Sequence, residues 1–260
     1  MNWITRWVLV IGVILAGSAC EIGKVGDPIL IADVEEEFTV ELQEKFSPGK
    51  RELILKLATV KQQDCSNYQI RYQWLQRLKQ LQLSIRDLVR TSDCQPGPAP
   101  ALATVIAGNL SAGDYELTID LQQTVVNEGI LTITPELYRI KMNTEYGLSF
   151  LNRELRQIPN ETIWGYIAYS PAKLNAARDL RDAFQKQTQG LALRSGDYGY
   201  FSASASNISL KGVPGNLTYF PLVRRFTGQG DELAALIGNF RDIHGAELQV
   251  VMQDTNGRIY

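Results

Sequence analysis

Apolar and polar residues alternate with period two over much of residues 36–142. Phe38-Val40-Leu42 and Leu53-Leu55-Leu57 each put their apolar side chains on one side of an extended chain. Between them Ser47-Pro48-Gly49-Lys50 reads as a turn. Ile70-Tyr72-Trp74 and Leu81-Leu83-Ile85 continue the rhythm, although Trp74, Leu75, Leu78 and Leu81 also fit one face of a helix. Residues 74–82 are therefore open to either reading. A Pro- and Gly-rich loop at 93–100 is followed by further strands at 104–106, at Tyr115-Leu117-Ile119-Leu121, at 130–132 and at 138–140. Short strands punctuated by turns predict a β-sandwich over residues 36–142.

From residue 143 the period lengthens. Leu148, Leu151, Leu155 and Ile158 lie at helical spacing up to Pro159, which predicts a connecting helix within 143–160. Residues 161–260 then read as two similar units. In the first, an apolar strand at 163–169 meets Ser170 at an N-cap position. Pro171 opens a helix to about residue 187 with Leu174, Ala177, Leu180 and Phe184 on one face. Gly190 ends it, and strands follow at 191–193 and 198–206. The second is a strand at 217–226 and a helix from Asp231 with Leu233, Leu236, Ile237 and Phe240, closed by Gly245. A hairpin around Asp254-Thr255-Asn256-Gly257 ends the chain. Two β-α-β units predict an α+β sandwich of ferredoxin-like type, with helices on one face of a mainly antiparallel sheet.

The first residues follow another rule. A start bearing Arg6 leads into the apolar run WVLVIGVILA at 7–16, then the small residues Gly17-Ser18-Ala19, then Cys20. That is the plan of a secretory signal peptide over 1–19, and the run is too short for a transmembrane helix. Residues 15–20 (LAGSAC) resemble the lipobox of bacterial lipoproteins, with Gly17 where that motif usually has Leu. The resemblance implies that Cys20 carries a diacylglycerol and an N-acyl chain and becomes the mature N-terminus, enough lipid for stable anchoring. Residues 20–35 then serve as a lipidated tether. The implied address is the bacterial cell envelope outside the cytoplasm, the outer membrane ahead of the inner. With Cys20 set aside, Cys65 and Cys94 remain, and in an oxidising compartment they are expected to form a disulfide.

Residues 110–119 (LSAGDYELTI) resemble the penultimate-strand corner of immunoglobulin-like and fibronectin-type domains, where a tyrosine after a tight turn hydrogen-bonds back to the backbone. The resemblance implies an immunoglobulin-like form of the sandwich, and no particular function.

Net charge is −2 with both signs interspersed, which excludes the basic footprint of a nucleic-acid binder. Ser170-Pro171-Ala172-Lys173 resembles the S-x-x-K element of penicillin-binding-type serine acyltransferases, in which Lys173 would serve as base, but the companion S-D-N and K-T-G elements are missing. Ser47-Pro48-Gly49-Lys50 repeats the spacing inside a turn. Gly228-Gln229-Gly230 precedes a helix like a phosphate cradle, yet Asp231 and Glu232 follow and would repel an anion. His244, the only histidine, suits the last turn of its helix better than a triad, and no zinc ligand set is available. Asp33, Glu35, Glu36 and Glu37 lack the alternating ligands of a calcium loop. Asn109, Asn160, Asn207 and Asn216 stand in N-x-S/T sequons, which are chance in a bacterial lipoprotein but mark exposed positions. The remaining signal is aromatic. Trp164, Tyr166, Tyr198, Tyr200, Phe201, Tyr219 and Phe220 fall on predicted strands, where alternate rings either fill a core or form an exposed binding surface. The surface reading gathers Tyr198, Tyr200 and Tyr219, bordered by Arg224 and Arg225. These features predict a non-enzymatic, lipid-anchored module without cofactor or metal, engaging an envelope protein or glycan. A serine hydrolase acting through Ser170 and Lys173 and a structural spacer are the alternatives.

Overall fold

The computed structural model describes residues 35–260; the expected signal peptide, Cys20, the expected tether up to residue 34 and Asp33 lie outside them. The first ten strands are β1 (Phe38–Ser47), β2 (Lys50–Cys65), β3 (Gln69–Arg77), β4 (Gln80–Val89), β5 (Pro96–Gly108), β6 (Gly113–Leu121), β7 (Val125–Ile133), β8 (Leu137–Met142), β9 (Leu148–Phe150) and β10 (Glu154–Arg156). They form one sheet in the order β10-β8-β7-β6-β4-β3-β5-β2-β1-β9. Its outermost strands, β9 and β10, are consecutive in sequence and separated by only residues 151–153. This link hydrogen-bonds to both sides. Leu151 N donates to Val40 O and the Asn152 side chain bridges both backbone groups of Leu42 on β1, while Ile140 N on β8 donates to Arg153 O. The sheet therefore curls until its two edges are stitched together, which removes the open edges that invite aggregation.

This overturns the immunoglobulin-like sandwich. Alternation predicts which side chains point inward, and they do: Val40, Leu42, Leu55, Leu57, Leu83, Ile85, Leu117, Ile119 and Leu131 fill one continuous core. It does not say whether the inner face meets a second sheet or its own far side. The corner motif survives without the sandwich, because Tyr115 Oη donates to Ser111 O at 2.9 Å. Residues 74–82 are strand throughout apart from the Leu78-Lys79 hairpin turn; Leu78 has φ +53 and is 94% exposed, so it joins no apolar helix face. The connecting helix of 143–160 is also absent. Leu148 and Leu155 are buried, but from β9 and β10 at the seam of the curled sheet.

The rest of the chain holds β11 (Thr162–Tyr169), α1 (Leu174–Gln187, entered by a 3-10 turn), β12 (Gly196–Asp197), β13 (Phe201–Ala203), β14 (Ile208–Leu210), β15 (Tyr219–Arg225), α2 (Gly230–His244) and β16 (Leu248–Asp254). The sheet β15-β11-β16 has both outer strands antiparallel to β11. Ile163, Ile167, Leu222, Val250 and Met252 on one face pack against Leu180, Phe184, Leu233 and Ile237 of the two helices. The predicted helices are present within a residue or two, and Gly245 ends α2 with φ +67. The ferredoxin-like arrangement is not. After α1 the chain spends residues 189–218 on a flap built around the small sheet β12-β13-β14. The flap sends β15 back antiparallel to β11, so the first unit is not a β-α-β crossover at all. Among the described residues no helix is long and apolar enough to cross a membrane.

Candidate functional site

The flap packs on the helix-free face of β15-β11-β16 and, through the end of β1, on the curled sheet. Phe46, Trp164, Tyr198, Phe201 and Val223 are buried together there. Trp164 lies 5.4 Å from the Phe46 ring and 5.1 Å from Tyr200. Such tilted ring pairs add stabilisation beyond the area they bury. At this junction sits Glu44, whose side chain is fully buried. Its carboxylate accepts hydrogen bonds from Tyr138 Oη (3.2 Å) and Ile158 N (2.9 Å), and Arg51 Nη1 lies 3.5 Å away. Tyr200 Oη donates to the Glu44 carbonyl at 2.8 Å. Burial holds the Glu44 carboxyl above its usual range, against the opposing pull of Arg51, the Ile158 amide and the Tyr138 hydroxyl. A raised carboxyl pKa means that the folded state keeps a proton which the unfolded chain has already lost. The Glu44 contribution is thus most favourable at and below the ordinary glutamate range and is lost as pH rises from there through the raised value. Urea unfolding of wild type and Glu44→Gln across pH 4 to 8 checks this: the wild-type minus variant stability is expected to fall with rising pH over that window.

The predicted aromatic surface does not assemble. Tyr198 is buried, stacked on Phe201 with ring centroids 4.9 Å apart, and its hydroxyl donates to Arg194 O. Tyr200 is half-buried and tied to Glu44. Tyr219 remains half-exposed beside Tyr166, 5.8 Å ring to ring. Alternation along β15 sends Arg224 to the helix side, where it donates to Thr188, while Arg225 pairs with Glu161. What stays open on the helix-free face is a shallow depression of about 230 Å3 against Trp164, Tyr166, Tyr200 and the exposed Val251.

A roomier cleft opens at the same junction, where β10 and the β7–β8 turn face the flap. Its volume is about 440 Å3. Ile158, Pro159 and Tyr198 give it an apolar floor, and Arg51, Arg156 and Arg194 contribute three guanidinium groups against the single carboxylate of Glu136. Arg51 is consumed by structure: it donates to Gln157 Oε1, Ile158 O and Asn160 Oδ1. Arg194 pairs with Glu136 at 2.6 Å on the rim. Arg156 differs. Its Nε donates to Ser195 O at 2.7 Å, and its stem lies along Gly196, where a Cβ would come within 2.8 Å of Nε. Gly196 has φ +147, so a side chain there would be both strained and obstructed. These arginines are far apart in sequence, and no local motif marks their approach.

The Ser170 element is arranged differently from a Ser–Lys pair. Lys173 Nζ faces Glu247 Oε2 at 3.5 Å, and Ser170 Oγ is shut from solvent with no hydrogen-bond partner. Ser170 does occupy the cap position, but its backbone oxygen accepts from Lys173 N and its hydroxyl caps nothing. An unsatisfied buried hydroxyl is a liability, so Ser170→Ala is expected to leave stability unchanged or raise it by about 1 kcal/mol, read as a higher melting temperature. Arg258 crowds Gly230 at the start of α2 and approaches Asp231, so the Gly228-Gln229-Gly230 loop presents a guanidinium and a carboxylate together. His244 lies in the last turn of α2 with its ring tilted beside Phe240, 5.7 Å centroid to centroid. All four sequon asparagines are exposed, as are Glu35, Glu36 and Glu37. Among the described residues no three His, Cys, Asp or Glu side chains converge as a metal site. No protein-family model, no curated protein and no solved structure matches this chain.

Proposed function

We propose that this protein is a lipid-anchored binding module of the bacterial cell envelope, held at a membrane by acylated Cys20 and engaging an envelope protein or glycan at the junction of curled sheet and flap. The observation that carries the binding half is the 440 Å3 cleft there, a volume in the range of small-molecule sites and placed between packed units where such sites concentrate. The anchor half is supported by the LAGSAC segment, and the Cys65–Cys94 disulfide accords with an oxidising compartment. The outer membrane is the favoured location.

Metabolic labelling with tagged palmitate tests the anchor. Wild type is expected to take up label and sediment with membranes, and Cys20→Ala to do neither; an unlabelled wild type overturns the anchor. For the binding half, a photo-reactive side chain at Asn160 on the cleft rim is compared with one at Asn109 on the curled sheet, both exposed. Discrete adducts from position 160 alone are expected, and the same adducts from both positions would refute a role for the cleft.

A further inference from the structure

We infer that the junction cleft recognises a carboxylate or phosphate group carried on a small sugar-sized body, with Arg156 as its anion-gripping residue. The inference deepens the binding reading above and rests on it.

The argument begins with an inventory of donors. An arginine offers five N–H groups in a flat fork, and in most folded settings they are shared among carboxylates and carbonyls. Arg51 has both terminal nitrogens engaged by Gln157, Ile158 and Asn160 and leans on Glu44. It is a strut. Arg194 is largely exposed and already holds Glu136. Arg156 alone has its Nε satisfied by Ser195 O while its two terminal nitrogens meet no acceptor or acidic partner among the described residues. The fork is also held still. Its Cγ, Cδ and Nε pass within about 3 Å of the space a Cβ at Gly196 would fill, so the glycine exists where the arginine stem must lie flat. Immobilising a flexible cation before the ligand arrives removes an entropy loss that a free surface arginine would suffer on binding. Guanidinium forks match carboxylate and phosphate oxygens two at a time, which lysine does not.

The rest of the cleft specifies the body behind the anion. Pro159 and Pro135 offer apolar contact, while Asn160 and the backbone offer polar partners at the rim. The single carboxylate, Glu136, is already paired with Arg194. An approaching anion therefore meets a net positive field, with the Arg194–Glu136 pair at the edge.

Three probes separate the outcomes: glucuronic acid, glucose 6-phosphate and glucose, each titrated into the folded chain from residue 21 onward by calorimetry at low and at high salt. The two acids are expected to bind in the millimolar range with affinity falling as salt rises, and glucose not to bind. Arg156→Gln is expected to weaken both acids at least tenfold, while Arg156→Lys restores only part of the loss because it returns the charge without the fork. Arg178→Gln, an exposed arginine on α1, serves as the charge-matched control and is expected to bind as wild type does. Glucose bound as tightly as the acids, or acid binding that survives Arg156→Gln, overturns the anionic assignment and leaves the binding reading intact. Silence with all three probes, when position 160 still cross-links an envelope component, likewise overturns this ligand class alone; silence in both removes the binding reading itself.

Discussion

Replacing Gly165 by alanine is expected to lower the unfolding free energy by about 4 kcal/mol, measured by urea denaturation. Gly165 lies in the middle of β11, the strand paired on both sides in the small sheet. Its φ is +152, a conformation from which L side chains are nearly barred, and a Cβ built there would stand 2.0 Å from Val251 O and 2.8 Å from Met252 Cα. Both obstacles are backbone of the neighbouring strand, so no side chain can swing aside. Relief requires β11 and β16 to part, which breaks their ladder and opens the apolar layer against α1 and α2. Two other glycines calibrate the result. Gly190 has nothing within 4 Å of its would-be Cβ and no positive φ, so Gly190→Ala should stay within about 0.5 kcal/mol of wild type. Gly238 lies inside α2 in open space, where alanine removes unfolded-state entropy and should stabilise by about 1 kcal/mol. One substitution thus gives three outcomes set by backbone alone. A mild Gly165→Ala would mean that the strand pairing of this sheet is not as described.

The pattern of hydrophobic positions located most of these elements and little of their arrangement. Period-two alternation identified Val40, Leu55, Leu83 and Ile119 as inward-facing because that property belongs to each strand by itself. Strand order does not. That β5 lies between β2 and β3, and that β4 runs parallel to β6, depends on contacts between distant segments that leave no local mark. Leu148, Leu151, Leu155 and Ile158 misled for a related reason. Their helical spacing is genuine, but the segment is a bent extended link, and Asn152 fixes it by bridging Leu42 on the facing strand. The helices α1 and α2 were legible since Pro171, Gly245 and a strong apolar stripe mark their limits locally. Of the two readings open for the aromatic residues, filling a core or forming an exposed surface, the core one describes those buried under the flap. Trp164, Tyr198 and Phe201 cement the flap to the sheet, and Arg224 and Arg225 fall on opposite faces because they are adjacent on one strand. The cleft itself was invisible, since Arg51, Arg156 and Arg194 are brought together only by closure of the curled sheet and folding back of the flap.

Breaking the Cys65–Cys94 disulfide is the second large effect expected, a loss of about 3.5 kcal/mol for the Cys65→Ala/Cys94→Ala pair in the chain-entropy account of a loop closed across 29 residues. The bridge ties the end of β2 to the segment entering β5, and the whole β3–β4 hairpin lies in the loop it closes. This corner of the curled sheet needs the help. The β2–β5 ladder slips register between Ala58 and Gln62 and again between Gln63 and Cys65, and β3 touches β5 in register at a single position, Gln69 with Leu102. Three hydrogen bonds, from Ser66 N to Gln95 O, Gln95 N to Asn67 Oδ1 and Asn67 Nδ2 to Asp93 O, depend on the two segments staying close. Hydrogen exchange on the reduced protein should therefore show the amides of Ser66 and Gln95 and the start of β3 losing protection first, while the strands around Leu117 and Leu131 lose it only with global unfolding. Wild type in reductant should match the double variant in denaturant midpoint. Equal midpoints with and without reductant would show that the bridge restricts the unfolded chain too little to matter. The oxidised advantage, if found at this size, is as large as a sizeable fraction of a domain's total stability. A chain that depends on it to that extent holds its curled sheet best where thiols are oxidised.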